Sequence, residues 1–166
     1  MGVEFVNKTN LEFMFDMKKV ARDVIAESCR QLNVPYDVSV AVTLCDSEEI
    51  KRLNNAYRKI NSATDVLSFP LIDFDIPGSF DEGALKAQDA FIPDTGEVFL
   101  GDIVINAVSV IEQAELYGHS QLREFAFLVA HSMFHLVGFD HMEENEAKDM
   151  EDWQSKVLDA LNITRD

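Results

Sequence analysis

The sequence predicts an α+β fold: a single domain over residues 1–166, with a mixed sheet of about four strands packed with helices. Three observations lead there. Four short β-prone segments are interspersed with five stretches whose apolar residues recur at helical spacing. The composition, 47% hydrophobic and 27% charged over 166 residues, is enough for one substantial core. No repeat, low-complexity tract or linker divides the chain.

The first strand is Val3-Glu4-Phe5-Val6. Met17, Val20, Ala21, Val24, Ile25, Ser28 and Leu32 then recur at three- and four-residue steps, predicting a helix over 14–32 that Pro35 stops. Val38 to Leu44 is β-branched and mostly alternating, a second strand. Asp46 is an N-cap with acids behind it, opening a helix to Arg58. Asp65 to Pro70 is a short strand ended by proline. Residues 71–96, with three prolines or glycines early and Pro93 and Gly96 late, read as a long loop, a type often functional or mobile. Val98 to Ile105 restores a strand, and Asn106 caps a helix that Gly118 ends after Tyr117. Two more helices follow, over 120–137 ending at Gly138 and over 143–161 with glutamates in its first turn. The order of strands in the sheet cannot be read from this pattern.

Lys+Arg 14 against Asp+Glu 30 gives a net charge of −16. That field repels phosphate and disfavours non-specific adhesion to nucleic acid or anionic lipid. Nucleic-acid chemistry here requires a local positive cleft. Eight of the basic residues fall in two windows, Lys18, Lys19, Arg22, Arg30 and Lys51, Arg52, Arg58, Lys59, which form such a rim if the first two helices flank the site. Cys29 and Cys45 form no CxxC and read as reduced core thiols of a cytoplasmic protein. No run of 18 apolar residues predicts a membrane span, and no secretion signal opens the sequence.

Three of the four histidines lie within eleven residues, His131-Ser132-Met133-Phe134-His135-Leu136-Val137-Gly138-Phe139-Asp140-His141. The i, i+4 pair projects from one face of a helix and can hold one metal ion. Continuing that helix would carry the third about 80° round and about 15 Å along the axis. Gly138 supplies the turn that brings His141 back. Three imidazoles with an open fourth position describe a catalytic, zincin-like zinc site. Asp140 serves either to orient a ligand imidazole or hydrogen-bond a metal-bound water, or as a turn residue after glycine. His119 reads as a cap or surface residue, not as a fourth ligand. The same H-x₃-H-x₅-H spacing occurs in metzincin proteases, where a Glu after the first histidine is the general base. Here that position is Ser132, which cannot replace a carboxylate.

The sequence resembles the YbeY family of bacterial single-strand-specific endoribonucleases. Asn54-Asn55-Ala56-Tyr57-Arg58 with Thr64-Asp65-Val66-Leu67-Ser68-Phe69-Pro70 is similar to that family's N-x-x-Y-R … T-D/N-V-L-S-F-P, Leu100 to Ile105 to its L-G-D-I-x-I strand, and His131 to His141 to its zinc segment. Ser132, Phe134 and Phe139 depart from the commoner Gly, Leu and Tyr, Ser132 adding a hydroxyl near the site. The resemblance implies zinc-dependent cleavage of single-stranded RNA, maturation of the 3′ end of small-subunit (16S) ribosomal RNA and ribosome quality control. It implies His131, His135 and His141 as metal ligands and Arg58 as an essential catalytic residue. The implied partners are ribosomal RNA, the small ribosomal subunit and its assembly factors, with no DNA. Two alternatives stand beside it: a metal-dependent hydrolase of another substrate, such as a metzincin-like peptidase, and a non-catalytic assembly factor with a structural metal.

Overall fold

Helices begin where a side chain satisfies their first unpaired N–H groups. In the computed structural model, which describes residues 1–164, Asp16, Asp46, Asp81, Asn106 and Ser120 each accept a backbone N–H two or three residues on. Each such cap contributes about 1 kcal/mol. They open α1 (Met17–Gln31), α2 (Ser47–Arg58), α3 (Glu82–Ala87), α4 (Ala107–Tyr117) and α5 (Gln121–Leu136). α6 (Glu144–Ala160) starts without a side-chain cap, its first turn carrying Glu144 and Glu146 against the positive helix end. The strands are β1 (Gly2–Asn7), β2 (Val38–Cys45), β3 (Val66–Pro70) and β4 (Val98–Asn106).

The α+β class and the four-stranded mixed sheet agree with the sequence, and three details correct it. α1 starts at Met17, because Asp16 is the cap and Met14 is fully exposed. It ends before Pro35 is reached: Asn33 has already left the helix with φ 54°. Residues 71–96 are not one loop. They hold α3, the bridge Phe91–Val98, and Gln88 bonding both the N–H and the carbonyl of Asp73, while Ile72, Leu85 and Ala90 enter the core.

The strand order is β1-β2-β4-β3, parallel except for β3, which runs antiparallel at the edge. An irregularity at Ser39/Val40 leaves Leu100 as an extra residue in β4. The shift of phase lets Val98 and Leu100, then Ile103 and Ile105, all face one core. Gly101 at this bend has φ 137°, and a Cβ there would lie 2.2 Å from the Phe69 carbonyl oxygen.

α5 is the hub of that core. Phe125, Leu128, Val129, Met133, Phe134 and Leu136 are buried, and the helix packs on α1, α4, α6, β3 and β4. The other sheet face is covered at one end by α2, where Ile50 and Leu53 meet Cys45, Leu67 and Val104. Cys29 and Cys45 are free, and burial pushes both thiols up to about 11, which keeps them protonated. No helix among the described residues is long and apolar enough to cross a membrane.

Candidate metal centre

The last two turns of α5 carry His131 and His135 on the face towards β3. Their ring centroids are 4.7 Å apart, and Nε2 lies 3.2 Å from Nε2. After α5 the chain reverses at Gly138 (φ 101°), with Gly138 N–H donating to the His135 carbonyl and Phe139 N–H to that of Phe134. A Cβ on Gly138 would come within 2.8 Å of the Phe74 Cβ, so both the conformation and the space demand glycine. The turn delivers His141, whose ring centroid lies 5.5 Å from that of His131 and 5.0 Å from that of His135. One ligand atom from each histidine falls within 4.8 Å of the others.

This donor set fits a tetrahedral transition metal. Two zinc–nitrogen bonds of about 2.0–2.1 Å at the tetrahedral angle hold their nitrogens about 3.3 Å apart, against the 3.2 Å between His131 and His135. Electrostatics agrees with geometry. Burial, then the neighbouring His135 and His141, pushes the His131 imidazole down to about 4 from its ordinary 6.5. His135 is lowered too, by burial first, with Arg58 among the charges opposing its protonation. Neutral rings keep the lone pairs a metal needs.

The outer nitrogens are tied. His135 Nδ1–H donates to the Phe139 carbonyl at 3.0 Å, which leaves its Nε2 as the acceptor facing the centre. His131 Nδ1 lies 2.9 Å from Nε2 of Gln154, a buried residue of α6. As a metal ligand through Nε2, His131 must carry its proton on Nδ1, and a half-turn of the Gln154 amide then offers oxygen to it. Gln154 is the supporting residue that the sequence alone did not reveal: its signal is a lone glutamine on the buried face of α6, thirteen residues past His141.

A cleft of about 640 Å³ opens over the three histidines, lined also by Arg58, Asp65, Ser68, Phe74 and Asp140. Arg58 ends α2, and among the described residues no carboxylate pairs with it. Its position follows from the residues around it. Asn54 Nδ2 donates to the Ser62 carbonyl, Asn106 Nδ2 to that of Thr64, and Gln113 Nε2 to the Asp65 carboxylate, so the segment from α2 to β3 is pinned at three points. The broader basic rim does not form. Lys18, Lys19 and Arg22 line a separate depression with Asp16 and Asp23, and Lys19, Arg30 and Arg52 pair with acids on their own helices.

Three smaller readings resolve. Ser132 is fully buried and its hydroxyl meets that of Ser68 on β3, so it knits α5 to the sheet and does not face an incoming substrate. Asp140 accepts the His141 N–H at 2.8 Å, which is the role of a turn residue. His119 does cap α4, its N–H donating to the Ala114 carbonyl, yet its ring is not at the surface: it is buried with Nε2 2.8 Å from Glu124.

Known proteins share this chain's pattern. The family described as endoribonuclease YbeY matches residues 4–162. An endoribonuclease YbeY of Agathobacter rectalis is 51% identical over 97% of this chain and 98% of its own length. One of Lachnoclostridium phytofermentans is 41% identical over 99% of this chain and its whole length. A Thermotoga maritima protein solved in solution shares the fold, with TM-score 0.56 at 20% identity over 96% of this chain and 91% of that one.

Proposed function

Starting from this chain's membership of the endoribonuclease YbeY family, which a match over residues 4–162 establishes, we propose that it is a metal-dependent endoribonuclease cutting single-stranded RNA. On this reading it acts in the cytoplasm on the 3′ end of small-subunit ribosomal RNA and in ribosome quality control, with the small subunit and its assembly factors as partners. The observation that carries the chemistry is the convergence of three imidazoles and, among the described residues, one guanidinium without a carboxylate partner on a single cleft.

His131, His135 and His141 would hold one zinc ion. When bound, such an ion supplies Lewis acidity and an activated water at neutral pH. The planar guanidinium of Arg58 can hold two phosphate oxygens at once, so it orients the scissile phosphate and stabilises charge as it develops. The Phe139 carbonyl and Gln154 keep the imidazoles turned inward. A peptidase reading loses support from Ser132: the position where a metzincin carries its base is buried against β3.

The test pairs elemental analysis with cleavage of a single-stranded oligoribonucleotide. His135→Ala is expected to lose metal and cleavage together, and Arg58→Ala to keep metal and lose cleavage. Retained cleavage by metal-free His135→Ala protein would overturn the reading. Mass spectrometry of the product ends separates attack by water from attack by the ribose 2′-hydroxyl.

A further inference from the structure

One wall of the cleft is made of main chain. β3 is the outer strand of the sheet and, among the described residues, pairs only with β4. The phase of that pairing is set at both ends: Asn106 N–H donates to the Asp65 carbonyl, and Leu71 N–H to that of Leu100. In an antiparallel ladder, mutually bonded pairs alternate with unbonded ones. Asp65–Asn106 and Leu71–Leu100 are bonded, hence so are Leu67–Val104 and Phe69–Asp102. Val66, Ser68 and Pro70 sit opposite Ile105, Ile103 and Gly101 at the unbonded positions. Their backbone groups point away from the sheet: N–H and C=O from Val66 and Ser68, C=O alone from Pro70. All three residues line the cleft that holds the histidines and Arg58.

We propose that this free edge of β3 is the track on which the substrate strand lies, its N–H groups donating to phosphate oxygens and its carbonyls accepting from ribose 2′-hydroxyls. The proposal rests on the reading of this cleft as the site of RNA cleavage. Outward N–H groups two residues apart on a strand are spaced about 7 Å, the scale of one nucleotide step in an extended single strand. Each ribonucleotide brings one acceptor, the phosphate, and one donor, the 2′-hydroxyl, and the edge alternates donor and acceptor in the same way. DNA supplies only the acceptor half. An added peptide strand is the poorer occupant. Pro70 ends the donors after two residues, too few for a stable extra strand, and the unpaired Arg58 guanidinium beside them demands an anion.

Val66→Pro tests the track, because it removes an outward N–H and leaves the ladder bonds of Asp65, Leu67 and Phe69 in place. Val66→Ala, which keeps the N–H, controls for the lost side chain. Relative to Val66→Ala, Val66→Pro is expected to raise KM for a single-stranded oligoribonucleotide about ten-fold, the loss of one charge-assisted hydrogen bond. Metal content should stay the same. If proline unfolds the protein, an amide-to-ester replacement at Val66 removes the same N–H without a ring, and the same rise is expected. Equal KM in the folded variants overturns the track and leaves the nuclease standing. Wild-type protein that cleaves no RNA, yet binds the oligoribonucleotide more tightly than Val66→Pro does, overturns the nuclease reading and keeps the track. An extended peptide that displaces the RNA, and whose own binding Val66→Pro abolishes, assigns the edge to a protein partner and overturns the proposal.

Discussion

Two parts of the candidate metal centre are built differently. His131 and His135 stand on α5, one turn apart, with Nδ1 of each ring engaged and the helix packed against α1, α4, α6, β3 and β4. His141 comes from the turn after the helix, is exposed, and is held through its backbone N–H to Asp140. The helical pair is a rigid half-site whose geometry is set by the core. The third candidate ligand, His141, depends on a short reversal that Gly138 makes possible. Precision comes from the first half, and completion of the site from the second.

Substitutions can break this contrast, the most severe first. His131→Ala or His135→Ala removes a preorganised ligand, and both are expected to lower zinc affinity by at least 10²-fold and cleavage to background, checked by elemental analysis and single-turnover kinetics. Gly138→Ala attacks the other half. It forces a Cβ into Phe74 at a positive φ and is expected to cost about 2–3 kcal/mol of stability. Denaturant unfolding checks the stability, and loss of metal from protein whose helix content is unchanged by circular dichroism would place the damage at His141. Gln154→Leu leaves all three ligands and removes the support of one. Its zinc affinity is expected to fall about 10–100-fold by competition with a chelator, and Gln154→Glu, which still accepts Nδ1–H, should recover most of it.

A further effect is on pH dependence. His131 is held near 4 in the folded chain against 6.5 ordinarily, so between those values the unfolded chain binds the extra proton. Stability of the metal-free protein is therefore fully present above about pH 6.5 and falls as pH drops towards 4. Thermal unfolding of wild type against His131→Gln should show a shallower decline in the variant over that window.

Much of this was legible along the chain because it is local. Asp46 and Asn106 cap the helices they were expected to cap, and Gly118 ends α4 in the left-handed conformation. The i, i+4 histidines needed only helical periodicity, and Gly138 only the conformational freedom of glycine. What failed was non-local. The phenylalanines of residues 71–96 looked like loop, since nothing nearby in sequence shows that Phe74 and Phe80 pack together and Phe91 meets Tyr36. The eight basic residues looked like a rim until the fold separated α1 from the cleft.

By itself, then, the sequence determined the elements, their caps and the three candidate ligands, because hydrogen bonds and side-chain projection within a helix or turn act over a few residues. Only the tertiary structure decided that β3 lies antiparallel at the edge, that Gln154 reaches His131 from α6, and that, among the described residues, Arg58 is the one lysine or arginine lining the histidine cleft. Those relations join segments tens of residues apart. They follow from which apolar faces pack together, and no local pattern encodes that choice.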